Sequence, residues 1–114
     1  MRTRRVRYKQ SYEYSDTLDS VIVSLCRDYE RRDHVVKEGG CSERTAMEYR
    51  YLNYRILEGV KEIVGETYAP IFIEEIGRRT GFAYTDVGYL SESAYKTAKQ
   101  DVKLSIARKL HLFD

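Results

Sequence analysis

From Leu90 to Leu110 the chain reads LSESAYKTAKQDVKLSIARKL, and its apolar residues Tyr95, Ala98, Val102, Ile106 and Leu110 return at every third or fourth position. That spacing calls for an α-helix with one buried face, because about 3.6 residues per turn bring such positions to the same side. Ser91 stands where its hydroxyl can cap the helix, and Glu92 suits the positive end of the helix dipole. The same period recurs upstream. Leu18, Val21, Ile22, Leu25 and Tyr29 share a face behind a cap at Ser15 or Asp16, and Gly39-Gly40 closes that region. Tyr49, Leu52, Ile56, Val60 and Ile63 share another behind Ser42 and Glu43, running to Gly65. A further helix is expected from Thr67 or Ala69, with Pro70 in its first turn, Phe72, Ile73 and Ile76 on its apolar side and Gly81 at its end.

Strand-like alternation is absent, so the expected fold class is all-α: a small bundle of four to five helices. Residues 15–65 read as a helical hairpin and residues 67–114 as a helix-turn-helix-like C-terminal half. Residues 1–14 lack an apolar period and read as a basic flexible arm. At 114 residues, with 42% hydrophobic and 33% charged residues and a single proline, residues 15–114 fit one globular domain. No run approaches the roughly 18 apolar residues of a membrane span, and the basic start lacks the apolar stretch of a secretion signal, so a cytoplasmic protein without membrane contact is expected. In that compartment Cys26 and Cys41 read as reduced thiols.

Charge is distributed unevenly. Residues 1–10 carry five basic residues, among them Arg2, Arg4, Arg5 and Arg7, and no acid; residues 11–90 carry ten basic against fifteen acidic residues; residues 91–114 carry five against three. Positive charge at both ends, around an acidic middle, suits local contact with an anionic partner such as double-stranded DNA. At 100° per residue, Lys96, Lys99 and Lys103 form one stripe of the last helix with Gln100 beside it. A helix docked by its apolar side can offer such a stripe and its first turn to a major groove. A core helix with a solvated lysine face would carry the same pattern.

The stretch LSESAYKTAKQDVKLSIARKL resembles the recognition helix and its extension in helix-turn-helix proteins of the sigma-factor region four type. More narrowly it resembles phage-encoded late-gene regulators of the ArpU and RinA kind, through Ser91, Ser93, Tyr95 and Lys99. The resemblance spans roughly residues 71–110: a leading helix IFIEEIGRRTG, a short middle segment and the terminal helix. It implies a DNA-binding transcriptional regulator of phage or mobile-element origin. It also implies contact roles for Ser91, Glu92, Ser93, Lys96 and Gln100, with Tyr95 facing the core or a phosphate. Within FAYTDVGYLSES, Gly88 lies one residue further from Ser91 than the turn glycine of that motif, and Tyr89 takes its place.

The rival expectation is a non-enzymatic helical module that binds a protein partner. Tyr51, Tyr54 and Arg55 lie off the face of Tyr49, Leu52 and Ile56, so this helix is apolar on two sides, as a homodimer contact would require. Catalysis finds little footing. His34 and His111 are distant in sequence, Cys26, His34 and Cys41 lack the close pairing of zinc ligands, and Glu74 and Glu75 point to different helix faces. No enzyme activity, metal or cofactor is expected.

Overall fold

The computed structural model describes residues 14–79 and 90–112. Those residues form helices and no strand: α1 (Asp16–Arg27), α2 (Tyr29–Glu38), α3 (Glu43–Arg78) and α4 (Glu92–Lys109). The all-α class read from the sequence is the class observed. Residues 1–13 of the basic arm and residues 80–89, with Gly81 and the connection, lie outside the described residues; Tyr14, assigned to the arm from the sequence, is instead buried against the core.

Three serines start three of the helices. The backbone N–H of Leu18 donates to Ser15 Oγ at 3.1 Å, that of Thr45 to Ser42 Oγ at 3.2 Å and that of Ala94 to Ser91 Oγ at 3.1 Å. Each cap satisfies one otherwise orphaned donor and contributes about 0.5–2 kcal/mol. Gly39 closes α2 with a left-handed backbone, φ 69°, the conformation glycine adopts without strain.

The chain between Ser15 and Gly39 is two helices rather than one. They meet at Asp28, whose backbone (φ −91°, ψ 1°) leaves the helical region. Arg32 supports the break from inside. Its Nη2 donates to the Leu25 carbonyl at 2.6 Å, Nη1 lies 3.2 Å from Asp28 Oδ2, and Nε donates to Asn53 Oδ1 of α3 at 2.7 Å. The Asn53 amide in turn donates to the Tyr29 carbonyl at 3.0 Å. A guanidinium only 3% exposed is thus matched on all three nitrogens, as burial of a charge demands.

Helix α3 continues through Gly65, where φ 84° and ψ 171° break the helical backbone for one residue. Only glycine occupies that region readily. Helical geometry resumes at Glu66, so Pro70 falls beyond the first turn and removes one helical hydrogen bond. The helix stops at Arg78, three residues before the expected end at Gly81, with Arg79 left-handed at φ 58°.

Helix α4 runs antiparallel to α3 across that break. Arg55 Nε donates to the Lys109 carbonyl at 3.1 Å, Ser105 Oγ donates to the Gly59 carbonyl at 2.8 Å, and the rings of Phe72 and Tyr95 stand 5.5 Å apart. Rising numbers on α3 meet falling numbers on α4. Gly59 and Gly77 make the close approaches: a Cβ at Gly59 would lie 3.2 Å from Ile106 Cα, and one at Gly77 only 2.7 Å from Arg27 Cα. Helix α1 therefore presses on the second half of α3, while α2 is tied to the first half through Arg32 and Asn53. Ile22, Val23 and Cys26 of α1, Ile56, Val60, Phe72, Ile73 and Ile76 of α3, and Tyr95, Val102 and Ile106 of α4 make one core. Two residues assigned to apolar faces from their spacing, Val21 and Ile63, are instead exposed, because each lies at the edge of its stripe.

Candidate nucleic-acid interface

Helix α4 is anchored by its inner face. Tyr95, Val102 and Ile106 are buried, Ser105 and Ala107 with them, and the stripe expected from the sequence is the one that packs. On the other side Ser91, Glu92, Ser93, Lys96 and Gln100 are exposed. Ser91 Oγ is engaged as the cap, while the first-turn N–H groups of Glu92 and Ser93 lie at the positive end of the helix dipole.

The three lysines do not share one environment. Lys96 Nζ lies 3.2 Å from Glu92 Oε2, an exposed pair one turn apart whose energy is small and screened by salt. Lys99 is half-buried and places Nζ 5.4 Å from the centre of the Tyr95 ring, within cation–π range. Lys103 turns inward. Its side chain is 17% exposed, and Nζ lies 3.1 Å from Asp19 Oδ1 of α1. The Tyr14 hydroxyl donates to the same carboxylate oxygen at 3.0 Å. Burial, followed by the neighbouring Asp19 charge, holds the Tyr14 phenol far above its ordinary range, so it stays a donor.

A cleft of about 690 Å³ separates the start of α1 from α4. Lys96, Asp101 and Lys103 of α4 line it, with Asp16 and Asp19 of α1. Three carboxylates against two ammonium groups neutralise the cleft from within, so it is no phosphate pocket. Lys96 and Gln100 border this same cleft and, together with the first turn of α4, are exposed to solvent. At the far end of α3, Arg78 is paired with Glu74 at 2.9 Å and Arg79 is exposed, close in sequence to the connection leading to Ser91.

Of the residues singled out from the sequence, the structure thus brings Ser91, Glu92, Ser93, Lys96 and Gln100 to one exposed end, with Lys99 behind them and Lys103 facing α1. Arg2, Arg4, Arg5 and Arg7, and the segment 82–89 that would hold the turn, lie outside the described residues. The Asp19–Lys103 contact was not foreseen. One signal for it existed: Asp19 sits on the same helical face as Ile22, Val23 and Cys26, and an acid on an apolar stripe requires a partner.

Both cysteines are free; Cys26 is buried and Cys41 half-buried. Among the described residues no group of three or more His, Cys, Asp or Glu side chains could hold a metal ion. No described helix is long and apolar enough to cross a membrane. Compared with models of known families, with curated proteins and with solved structures, the chain matches none.

Proposed function

We propose that the chain is a DNA-binding regulator that presents the N-terminal end of α4 to duplex DNA, with the basic residues 2–9 adding phosphate contacts. One observation carries the reading. Helix α4 is fixed to the core by Tyr95, Val102 and Ile106 while Ser91, Glu92, Ser93, Lys96 and Gln100 stand together in solvent. Hydroxyls, first-turn N–H groups and a lysine are the donors that meet phosphates, and a glutamine can pair with the edge of adenine. The charge-rich N-terminal segment, with five basic residues and no acid in its first ten, supplies the sequence-independent part of the affinity. Lys103 takes no part, being committed to Asp19.

The test is a comparison of two substitutions on α4. Lys96→Glu weakens binding to fluorescent duplex DNA at least tenfold, as a lost cation and an added anion at a contact surface should. Gln100→Ala alters preference among DNA sequences more than affinity for any one of them. If Lys96→Glu binds as the parent does, α4 is not the contact helix.

A second reading, that the chain binds protein through the outer face of α3, is favoured by Met47, Tyr51 and Tyr54, which are 61%, 55% and 61% exposed. The two readings are compatible, since the faces belong to different helices.

A further inference from the structure

Met47, Tyr51 and Tyr54 are large side chains left in solvent on a helix whose opposite face, Asn53, Ile56 and Val60, is buried. With Arg44 and Glu58 they recur at steps of three, four, three and four residues, the spacing of a helix–helix seam. Tyr49, by contrast, belongs to the inner side: its hydroxyl accepts from Arg31 Nη2 at 3.4 Å and its ring lies under the Arg31 guanidinium. Among the described residues nothing comparable covers the outer stripe except Arg55, whose guanidinium carbon stands 5.8 Å from the centre of the Tyr51 ring.

The charges bordering the stripe say what fits it. Arg44 and Glu48 lie on one side of Tyr51, Arg55 and Glu58 on the other, each couple paired within the chain at 3.6 Å and 2.9 Å. Reading outwards from Tyr51, the order is acid then base towards the N-terminus, and base then acid towards the C-terminus. Such a pattern is complementary to its own reversal. If a second α3 lies antiparallel across a two-fold axis at Tyr51, Arg44 meets Glu58 of the second copy, Glu48 meets Arg55, and Met47 meets Tyr54. A parallel arrangement would instead set Arg44 on Arg44 and Glu58 on Glu58, which repel.

We infer that the outer face of α3 is a self-association surface, occupied by the α3 of a second copy running antiparallel about Tyr51. The seam from Arg44 to Glu58 is about 21 Å long at 1.5 Å per residue. It combines tyrosine anchors, which bury large area with few rotatable bonds, with two symmetric charge networks that set direction. This inference does not depend on DNA binding.

The full chain, followed by light scattering and sedimentation at about 100 µM, where a contact of modest strength is populated, should show twice its 13.4 kDa mass. Tyr51→Glu should return it to a monomer with unchanged helical circular dichroism. Arg44→Glu and Glu58→Arg should each weaken the dimer about tenfold, since two ion pairs become two repulsions. Mixed together, the two variants should form a heterodimer as tight as the parent dimer, because both contacts are then attractive. A monomeric parent, a dimer indifferent to Tyr51→Glu, or a mixture no tighter than its components would each overturn the proposal.

Discussion

Lys103 of α4 and Asp19 of α1 hold each other at 3.1 Å, with the Tyr14 hydroxyl completing the same carboxylate. The contact joins the terminal helix to the first helix of the described chain, and it withdraws one lysine from the face that the sequence had assigned to it. Replacing Lys103 with Met removes one partner from a half-buried carboxylate, so stability should fall by about 1 kcal/mol, read as a lower urea midpoint at constant slope. DNA affinity should change less than it does for Lys96→Met. The reverse order would return Lys103 to the contact surface.

The Arg32–Asn53 pair fixes α2 to α3 by a buried, charge-assisted hydrogen bond. Arg32→Met leaves Asn53 Oδ1 without that donor and frees the Leu25 carbonyl, at a cost of about 3 kcal/mol. Asn53→Leu alone leaves the guanidinium buried and under-satisfied and should cost about as much. The double variant should be more stable than the sum of the two predicts, because it removes both halves of the pair. Strict additivity in chemical denaturation would show that the two residues act independently.

Gly77 is where α1 touches the second half of α3. A methyl group there would lie 2.7 Å from Arg27 Cα and 2.8 Å from its nitrogen, both backbone atoms that cannot swing aside. Gly77→Ala should destabilise by about 1–3 kcal/mol through overpacking, despite the better helix propensity of alanine. Gly59→Ala meets Ile106 at 3.2 Å and should cost less. Equal melting temperatures for Gly77→Ala and the parent would mean that the helices separate easily at this point.

The two thiols should behave differently. Burial, only partly opposed by Arg32 and Lys103, pushes the Cys26 thiol up to about 12, so it stays protonated where an unfolded cysteine ionises near 8.5. Its contribution to stability is therefore complete below about pH 8.5 and is lost as pH rises towards the folded value. At neutral pH a thiol reagent should label half-buried Cys41 rapidly, and Cys26 only at the rate of unfolding. Rapid labelling of both in the folded protein would contradict the packing around Cys26.

Much of this architecture was legible because it is local. Ser15, Ser42 and Ser91 announce the starts of helices, Gly39 and Gly65 the interruptions, and Tyr95, Val102 and Ile106 a buried stripe, all through spacings of four residues or fewer. Asp28 was missed because the break there depends on Arg32, whose partner Asn53 lies on another helix. The fate of Lys103 depends on Asp19, more than eighty positions away. Angular position on a helix says which side chains share a stripe; only tertiary packing says whether that stripe meets solvent, an acid or a ring. The same limit applies to Tyr51 and Tyr54, whose exposure required knowing which side of α3 the core occupies.

The most direct test of the central reading is the salt dependence of duplex DNA binding by the full chain, by the chain lacking residues 1–10 and by Lys96→Glu. Binding is expected at about 50 mM salt and should weaken linearly on a log–log plot, with a slope near −0.9 for each phosphate neutralised. Removing residues 1–10 should make that slope shallower, and Lys96→Glu should lower affinity across the whole range. Folded protein that fails to bind DNA even at the lowest salt would contradict the account and leave the outer face of α3 as the functional surface.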